Sequence, residues 1–409
     1  MTAGIPATAK PPPCASCGRS RPGGRARPIP CTPCADWTPI VTNTLSHSAP
    51  FAAAATAMRE PFVFLYITEK CPLRCVHCYM GERLDRERRM TPAQVDEILA
   101  VLRITGGQYK VYLLGGEPTT HPQFGEILDV CKRQGYKVVL TTNGLIPART
   151  WPSLDERIDS FSFSMDGARP ETHEAIRGPN TWRPLLASVG RAVAAGFQTR
   201  AIFTITRDNA ADVFAAIDLA EQLGLEMLSF HYFTPTGLGR SRPDLQLTPP
   251  EWMQLCEQIR GAAVGRRVRV FYPPAFVDVG KLPDLRTAGY GGCTARNLER
   301  LAIFPDGRVY ICSAFFDTDL HYGVVRDGQI VPRTSAPNGV TELTLVNQVS
   351  SNCRSCAHGS LCGGGCAAYD HLERTLRSSE CDRQTAPVCP LWSMPAEPES
   401  TEHRLIDLR

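Results

Sequence analysis

From Phe62 onward, short apolar runs alternate with segments whose apolar residues recur at helical spacing. FVFLYIT (62–68), VYLLGG (111–116), KVVLTTNG (137–144), FSFSMDG (161–167), TRAIFTIT (199–206) and MLSFHYF (227–233) read as strands, several closed by Gly or Asp turn residues. Between them, 92–104, 122–134, 181–196 and 211–223 read as helices. The first is the clearest, with Val95, Ile98, Leu99 and Leu102 on one face and Thr91-Pro92 as its start signal. Strands joined by helical crossovers predict an α/β fold, a parallel sheet curved into a partial (β/α)6 TIM-like barrel.

The pattern changes at both ends. Residues 1–57 are rich in Pro, Ala and Gly with little periodicity and predict a flexible extension. The barrel is expected over 58–245. A turn-rich TPTGLGRSRPD and a helix at 250–263 lead into a bridging region, 246–290. Residues 291–395 hold short strands (LAIFP, GRVYICSA, HYGVV), many glycines and a dense cysteine set, and 396–409 form a tail. A segment with so few long apolar runs needs metal as a staple.

Composition narrows the function. Lys and Arg number 44 against 41 Asp and Glu, with no long run of one sign, which argues against a nucleic-acid partner. No stretch approaches the roughly 18 apolar residues of a membrane span, and no signal peptide is visible, so a cytoplasmic protein is expected. Its 17 cysteines therefore point to metal rather than to disulfides. Most of them cluster, as 14/17, 31/34, 71/75/78, 353/356/362/366 and 381/389. Cys131 and Cys256, alone in helical patterns, read as small buried apolar residues.

Cys71, Cys75 and Cys78 lie in a loop at the C-terminal end of the first strand. Three thiolates on a 4Fe-4S cluster leave one iron open to a bidentate small molecule, and loops at the carboxyl ends of parallel strands build active sites. The three-cysteine loop, with His77 before its last cysteine, resembles the signature of the radical S-adenosylmethionine (SAM) superfamily. Gly115-Gly116-Glu117-Pro118 resembles that family's GGEP motif, which is thought to hold the SAM amino group. Thr142 and Asn143 stand where the family places a ribose contact. Ser164 and Arg177 resemble its carboxylate contacts, a role that suits the planar guanidinium fork. The resemblance covers residues 62–235 and implies a SAM-binding 4Fe-4S cluster, SAM as cofactor and an oxidoreductase working by hydrogen-atom abstraction. No acid, base or hydrogen donor is singled out. Tyr79, Cys131, Cys256 and Cys381 are candidate donors, and Asp166 and His231 could line the cavity.

Residues 293–392 resemble the SPASM extension of such enzymes, including LCGGGC and PVCPLW. Carried over, that resemblance implies one or two auxiliary iron-sulfur clusters. Cys293, Cys312 and Cys366 would hold the first, and Cys353, Cys356, Cys362 and Cys389 the second. Cys381, a substrate or water would complete the first, and zinc is the alternative for this module. Cys14, Cys17, Cys31 and Cys34 have zinc-ribbon spacing, which fits a structural zinc or else an unstructured extension; Met58 could be an alternative start.

Two substrate classes follow from the resemblance. A peptide in natural-product (RiPP) maturation is preferred, and a small metabolite such as an aminocyclitol or sugar is the alternative. A non-enzymatic iron-sulfur electron carrier is the third reading. An electron donor such as flavodoxin or ferredoxin is the expected partner.

Overall fold

The computed structural model describes residues 62–104, 110–154, 157–273, 276–278, 293–296, 298–316, 318–334, 341–347, 356–358, 366, 368 and 391–392. By contacts the chain divides into Met1–Trp37 and Thr38–Arg409, and every described residue lies in the second unit. The four N-terminal cysteines, with Cys353, Cys362, Cys381 and Cys389, lie outside the described residues.

The alternating pattern becomes β1 (Phe62–Thr68), α1 (Arg83–Arg86), α2 (Pro92–Ile104), β2 (Lys110–Gly115), α3 (Phe124–Arg133) and β3 (Lys137–Thr142). It continues through β4 (Ser160–Ser164), α4 (Pro170–Arg177), α5 (Trp182–Ala194), β5 (Gln198–Ile205), α6 (Val213–Gln222), β6 (Met227–Tyr232) and α7 (Pro249–Ala263). The strands run parallel in sequence order from β1 to β6, as right-handed helical crossovers require. Cys131 in α3 and Cys256 in α7 are buried in the apolar core, which bears out their reading as small apolar residues.

Two strands extend this sheet in ways the hydrophobic pattern did not announce. β7 (Arg269–Phe271) adds in parallel beside β6. It is too short, and too hemmed by arginines and prolines, to show an alternation. On the other edge, β9 (Arg300–Ile303) pairs in parallel with β1. From there β10 (Arg308–Tyr310), β11 (Gly323–Arg326) and β12 (Gln329–Pro332) continue antiparallel, so among the described residues the sheet reads β12-β11-β10-β9-β1 through β7, 11 strands. β8 (Val277–Asp278) and β13 (Leu391–Trp392) form a separate pair, and α8 (Glu342–Asn347) follows β12.

Register fixes which side chains face inward. Ala302, Phe64, Tyr112 and Val139 are level neighbours across β9, β1, β2 and β3, and level neighbours in a parallel sheet point to one face. The opposite face carries Val63, Leu65, Val111, Phe161, Phe203 and Phe230, each with no exposed surface. Burying each such side chain stabilises the fold by about 1.5–3 kcal/mol. The inner face keeps half-exposed members, among them Phe62, Phe64, Tyr112, Arg200 and Ser229. Arg200 Nη1 reaches Tyr112 Oη at 3.5 Å although two strands separate β5 from β2, so the sheet curls round a lumen. This is the partial barrel expected. No helix among the described residues is long and apolar enough to cross a membrane.

Candidate active site

The carboxyl ends of β1 to β6 carry the motif residues. At the first, β2 is stitched to the chain leaving β1: Gly116 N donates to Thr68 O at 2.7 Å and Glu117 N to Lys70 O at 2.8 Å. A Cβ at Gly115 would sit 2.1 Å from Thr68 O, and one at Gly116 2.2 Å from Lys70 O. Only glycine permits this approach, which holds the start of the cysteine loop against the GGEP turn. Glu117 is buried, and its carboxylate accepts from Thr119 N (3.1 Å), Thr119 Oγ1 (2.7 Å), Thr142 Oγ1 (2.9 Å) and Asn143 N (2.8 Å). It therefore ties the end of β2 to the end of β3. Pro118 starts the short 3₁₀ turn whose cap is Glu117.

Asn143 Oδ1 accepts from Leu145 N at 2.8 Å, which sets the amide's orientation. That leaves Nδ2 buried with no hydrogen-bond partner. An unpaired buried donor costs about 1–3 kcal/mol, so it is a position where a ligand acceptor fits. Ser164, half-exposed at the end of β4, faces the same lumen as Ser162 and Thr141.

The cysteine loop is held from two sides. Val76 N donates to Ile176 O in α4 at 3.0 Å, and Leu238 N donates to Cys78 O at 2.8 Å. Cys75 is buried, while Cys71 and Cys78 are half-buried. Burial pushes the Cys71 thiol up to about 12, Cys78 up to about 11, and Cys75 upward as well. Buried thiols of this kind become thiolates only with a cationic centre against them, and a cluster's irons supply one. Among the described residues, no three His, Cys, Asp or Glu side chains gather as they would round a single ion. A four-iron cube spreads its ligands farther apart than one zinc does, and the loop's chemistry and spacing fit the cube.

Asp166, just beyond β4, is the hub of the site. Its Oδ2 accepts from Arg177 Nε at 2.5 Å and from His77 Nε2 at 2.7 Å, and its Oδ1 accepts from Thr204 N at 2.7 Å. The His77 tautomer with the proton on Nε2 follows from that contact. Asn209 Nδ2 donates to Asp166 O at 3.0 Å. Burial alone would raise the Asp166 pKa, but Arg177 and then His77 outweigh it and hold the carboxyl well below the carboxylate range. Arg177 is buried, not a solvated helix charge, and its Nη1 lies 3.9 Å from Cys75 Sγ. The structure thus joins Cys75, His77, Asp166 and Arg177 from three elements, whereas Thr142, Asn143 and Glu117 form a neighbouring group.

Two participants, Tyr66 and Arg83, were not singled out in the sequence, whereas Tyr79 and His231 were named there as candidates. Tyr66 Oη lies 3.0 Å from Tyr79 Oη, beside the last loop cysteine. Arg83 is buried and joins Glu69 (3.0 Å), Tyr310 Oη (2.8 Å) and Phe316 O (2.8 Å), with Cζ 4.2 Å above the Phe304 ring. Sequence distances above 220 residues hid those last contacts. His231, on β6, keeps its surface exposed to water, while the protein crowded round it pushes its pKa down against the pull of Asp166.

The C-terminal cysteines are placed differently. Cys312 follows β10, and its N–H donates to Glu342 Oε1 at 2.6 Å, with Ile311 N donating to Oε2 at 2.9 Å. Burial first, with Cys366 and Glu342 adding to it against Arg300, pushes the Cys312 thiol up to about 12. Cys293 and Cys356 are half-buried and Cys366 is exposed.

Comparison with known proteins agrees with this geometry. The profile of the radical SAM superfamily matches residues 65–234. The mycofactocin maturase MftC of Mycobacterium tuberculosis is 30% identical over 311 residues, which cover 74% of this chain and 77% of that protein. Streptococcus suis SuiB bound to its precursor peptide SuiA superposes with a TM-score of 0.61 at 18% identity, covering 79% of this chain and 75% of SuiB. The enzyme anSMEcpe, bound to AdoMet and a Cp18Cys peptide, gives 0.57 at 19% identity over 78% of this chain and 91% of its own. With the loop of three thiols, the stitched GGEP turn and a relative at this identity and coverage, the chain belongs to the radical SAM superfamily and is an enzyme that uses a 4Fe-4S cluster and SAM.

Proposed function

We propose that this enzyme modifies a peptide in natural-product maturation. The observation that carries this reading is the likeness to a maturase over three quarters of both chains, joined to a sheet that curls round a lumen and carries the motif residues at its strand ends. When bound, the cluster and SAM supply one-electron cleavage to methionine and a 5′-deoxyadenosyl radical that removes a hydrogen atom from the substrate.

The chain's own residues have separate tasks in this reading. Cys71, Cys75 and Cys78 hold the cluster, and Arg177, pinned by Asp166, offers positive charge to Cys75. Gly115 to Pro118 present backbone at the SAM amino group, with Glu117 keeping that turn in place. The unpaired Nδ2 of Asn143, with Thr142 beside it, meets the ribose. Ser164 and the remaining N–H groups of Arg177 face the carboxylate.

Cys293, Cys312 and Cys366 hold one auxiliary cluster, with Cys381 available to complete it, and Cys353, Cys356, Cys362 and Cys389 hold a second. What supports the first grouping is that Cys366 lies near enough to Cys312 to raise its pKa. Cys14, Cys17, Cys31 and Cys34 hold a zinc, and a flavodoxin or ferredoxin delivers electrons.

Anaerobic purification, reconstitution and assay of 5′-deoxyadenosine release test the proposal. Wild type is expected to hold about 11–12 irons, as three cubes require, and to release deoxyadenosine. A Cys71, Cys75 and Cys78 triple alanine variant is expected to lose about four irons and all release. Incubation with short peptides encoded beside the gene should then change a peptide's mass. A mass change confined to a sugar or aminocyclitol would replace the peptide with a metabolite.

A further inference from the structure

The lumen carries two arginines that the SAM site leaves unused. Arg200 on β5 is level with Ser162 on β4 and Met227 on β6, and its Nη1 crosses the lumen to Tyr112 Oη. The Tyr112 ring packs edge-on to Phe62 at 5.6 Å and Phe64 at 5.2 Å. Phe62 is level with Arg300 on β9, whose Nε donates to Ile311 O at 3.1 Å. One wall of the lumen therefore runs from cation to aromatic rings to cation.

Neither arginine has a carboxylate at ion-pair distance among the described residues, while most arginines around them do. The inward register positions of β1 to β6 and β9 hold no Asp or Glu. Glu342 lies within electrostatic reach of Arg300 but not at ion-pair distance, and Asp166 is already shared by Arg177 and His77. Both arginines and the three rings are half-buried, so each is partly stripped of water yet reachable. A half-desolvated guanidinium without a counter-ion gains most from a planar anion that its fork can grip. The flanking rings suit an amino-acid residue better than a polyanion, because they need apolar surface to cover them.

We propose that the lumen binds a carboxylate of the substrate, gripped by Arg200 with Arg300 as the second cation, while the adjoining aromatic or apolar side chain lies on Phe62, Phe64 and Tyr112. This deepens the peptide reading and rests on it. The carboxylate belongs either to the peptide's C-terminus or to an acidic side chain.

Ligand-observed NMR titration of the full-length protein separates these sources with three probes: N-acetylphenylalanine, its amide, and N-acetyl-aspartyl-phenylalaninamide. At least one acid is expected to bind about tenfold more tightly than the amide, as a charge-assisted pair implies. Preference for the first acid assigns the C-terminus, and preference for the third probe assigns the side chain. R200Q and R300Q should each remove most of that advantage. R200K, which keeps the charge without the fork, should fall between, and melting curves must match wild type for a variant to count. Equal binding of acids and amide, no binding of any probe up to about 10 mM, or an advantage that survives in the R200Q/R300Q double variant overturns the proposal. Deoxyadenosine release is a separate readout, so failure of the pocket and failure of the enzyme reading are told apart.

Discussion

The cysteine loop at 71–78 and the cysteine region after β9 place the same residue type in different settings. In the loop, the three thiols lie within eight residues and are held by a buried ion-pair hub and two backbone hydrogen bonds. Beyond β9, Cys312 and Cys366 come from distant segments, and the visible support for Cys312 is a single carboxylate from α8. A short loop loses little entropy on closing and can spend its contacts on geometry. Cysteines from distant segments depend on a scaffold assembled first, and β9 to β12 provide one by continuing the barrel sheet from β1.

The two settings should break differently. The largest effect is expected from D166A, which strands the buried Arg177 charge. About 3–5 kcal/mol of stability should be lost, measured by chemical denaturation, and iron should leave the loop site while that of the C-terminal region stays. D166N, which keeps the shape, should retain more iron than D166A.

R83M should come next, because the buried Arg83 touches both regions, through Glu69 on one side and Tyr310 and Phe316 on the other. A loss of about 2–3 kcal/mol is expected, less than for a pair that cannot relax, since burial already raises the Glu69 pKa and protonation can relieve it. Iron loss from both regions in one variant would show the coupling; loss from one alone would refute it.

E342Q should be smaller and local. It keeps one acceptor for the Ile311 and Cys312 N–H groups and loses the other, at a cost of about 1–2 kcal/mol. Deoxyadenosine release should persist while iron falls.

The smallest effect lies outside both regions. Arg207 pairs through both nitrogens with Glu251, which also closes the capping box of α7. These hydrogen bonds hold Glu251 down to about 2, below its usual 4.5. A depressed carboxyl contributes stability that is complete above the unfolded pKa and is lost as pH falls through the folded one. The pair is half-exposed, so its share is about 0.5–1 kcal/mol. Melting temperatures of wild type and R207M should differ at pH 6 and converge between about pH 4.5 and 2.

Much of the site was legible because its pieces are local. Cys71 to Cys78 and Gly115 to Pro118 are contiguous, each at a strand end marked by an apolar run. Asp166 was visible only as a possible cavity residue, since its partners His77 and Arg177 are 89 and 11 positions away. β7 escaped for want of length. Nothing in the local pattern announced that β9 would dock on β1, because pairing partners are chosen by edge availability and by packing such as the stack of Tyr66 on Phe304 at 4.1 Å.

By itself the sequence determined the order of strands and helices, which face of each was apolar, and which short segments carry thiols, glycines and turn residues. Those are consequences of periods of two and 3.6 and of backbone sterics, which act within a few residues. The curl that puts Arg200 against Tyr112, the burial of Arg177 on Asp166 and the joining of the C-terminal strands to β1 were decided only by tertiary structure. Each depends on register and charge pairing between distant segments, where the gain comes from shared burial that no single segment contains.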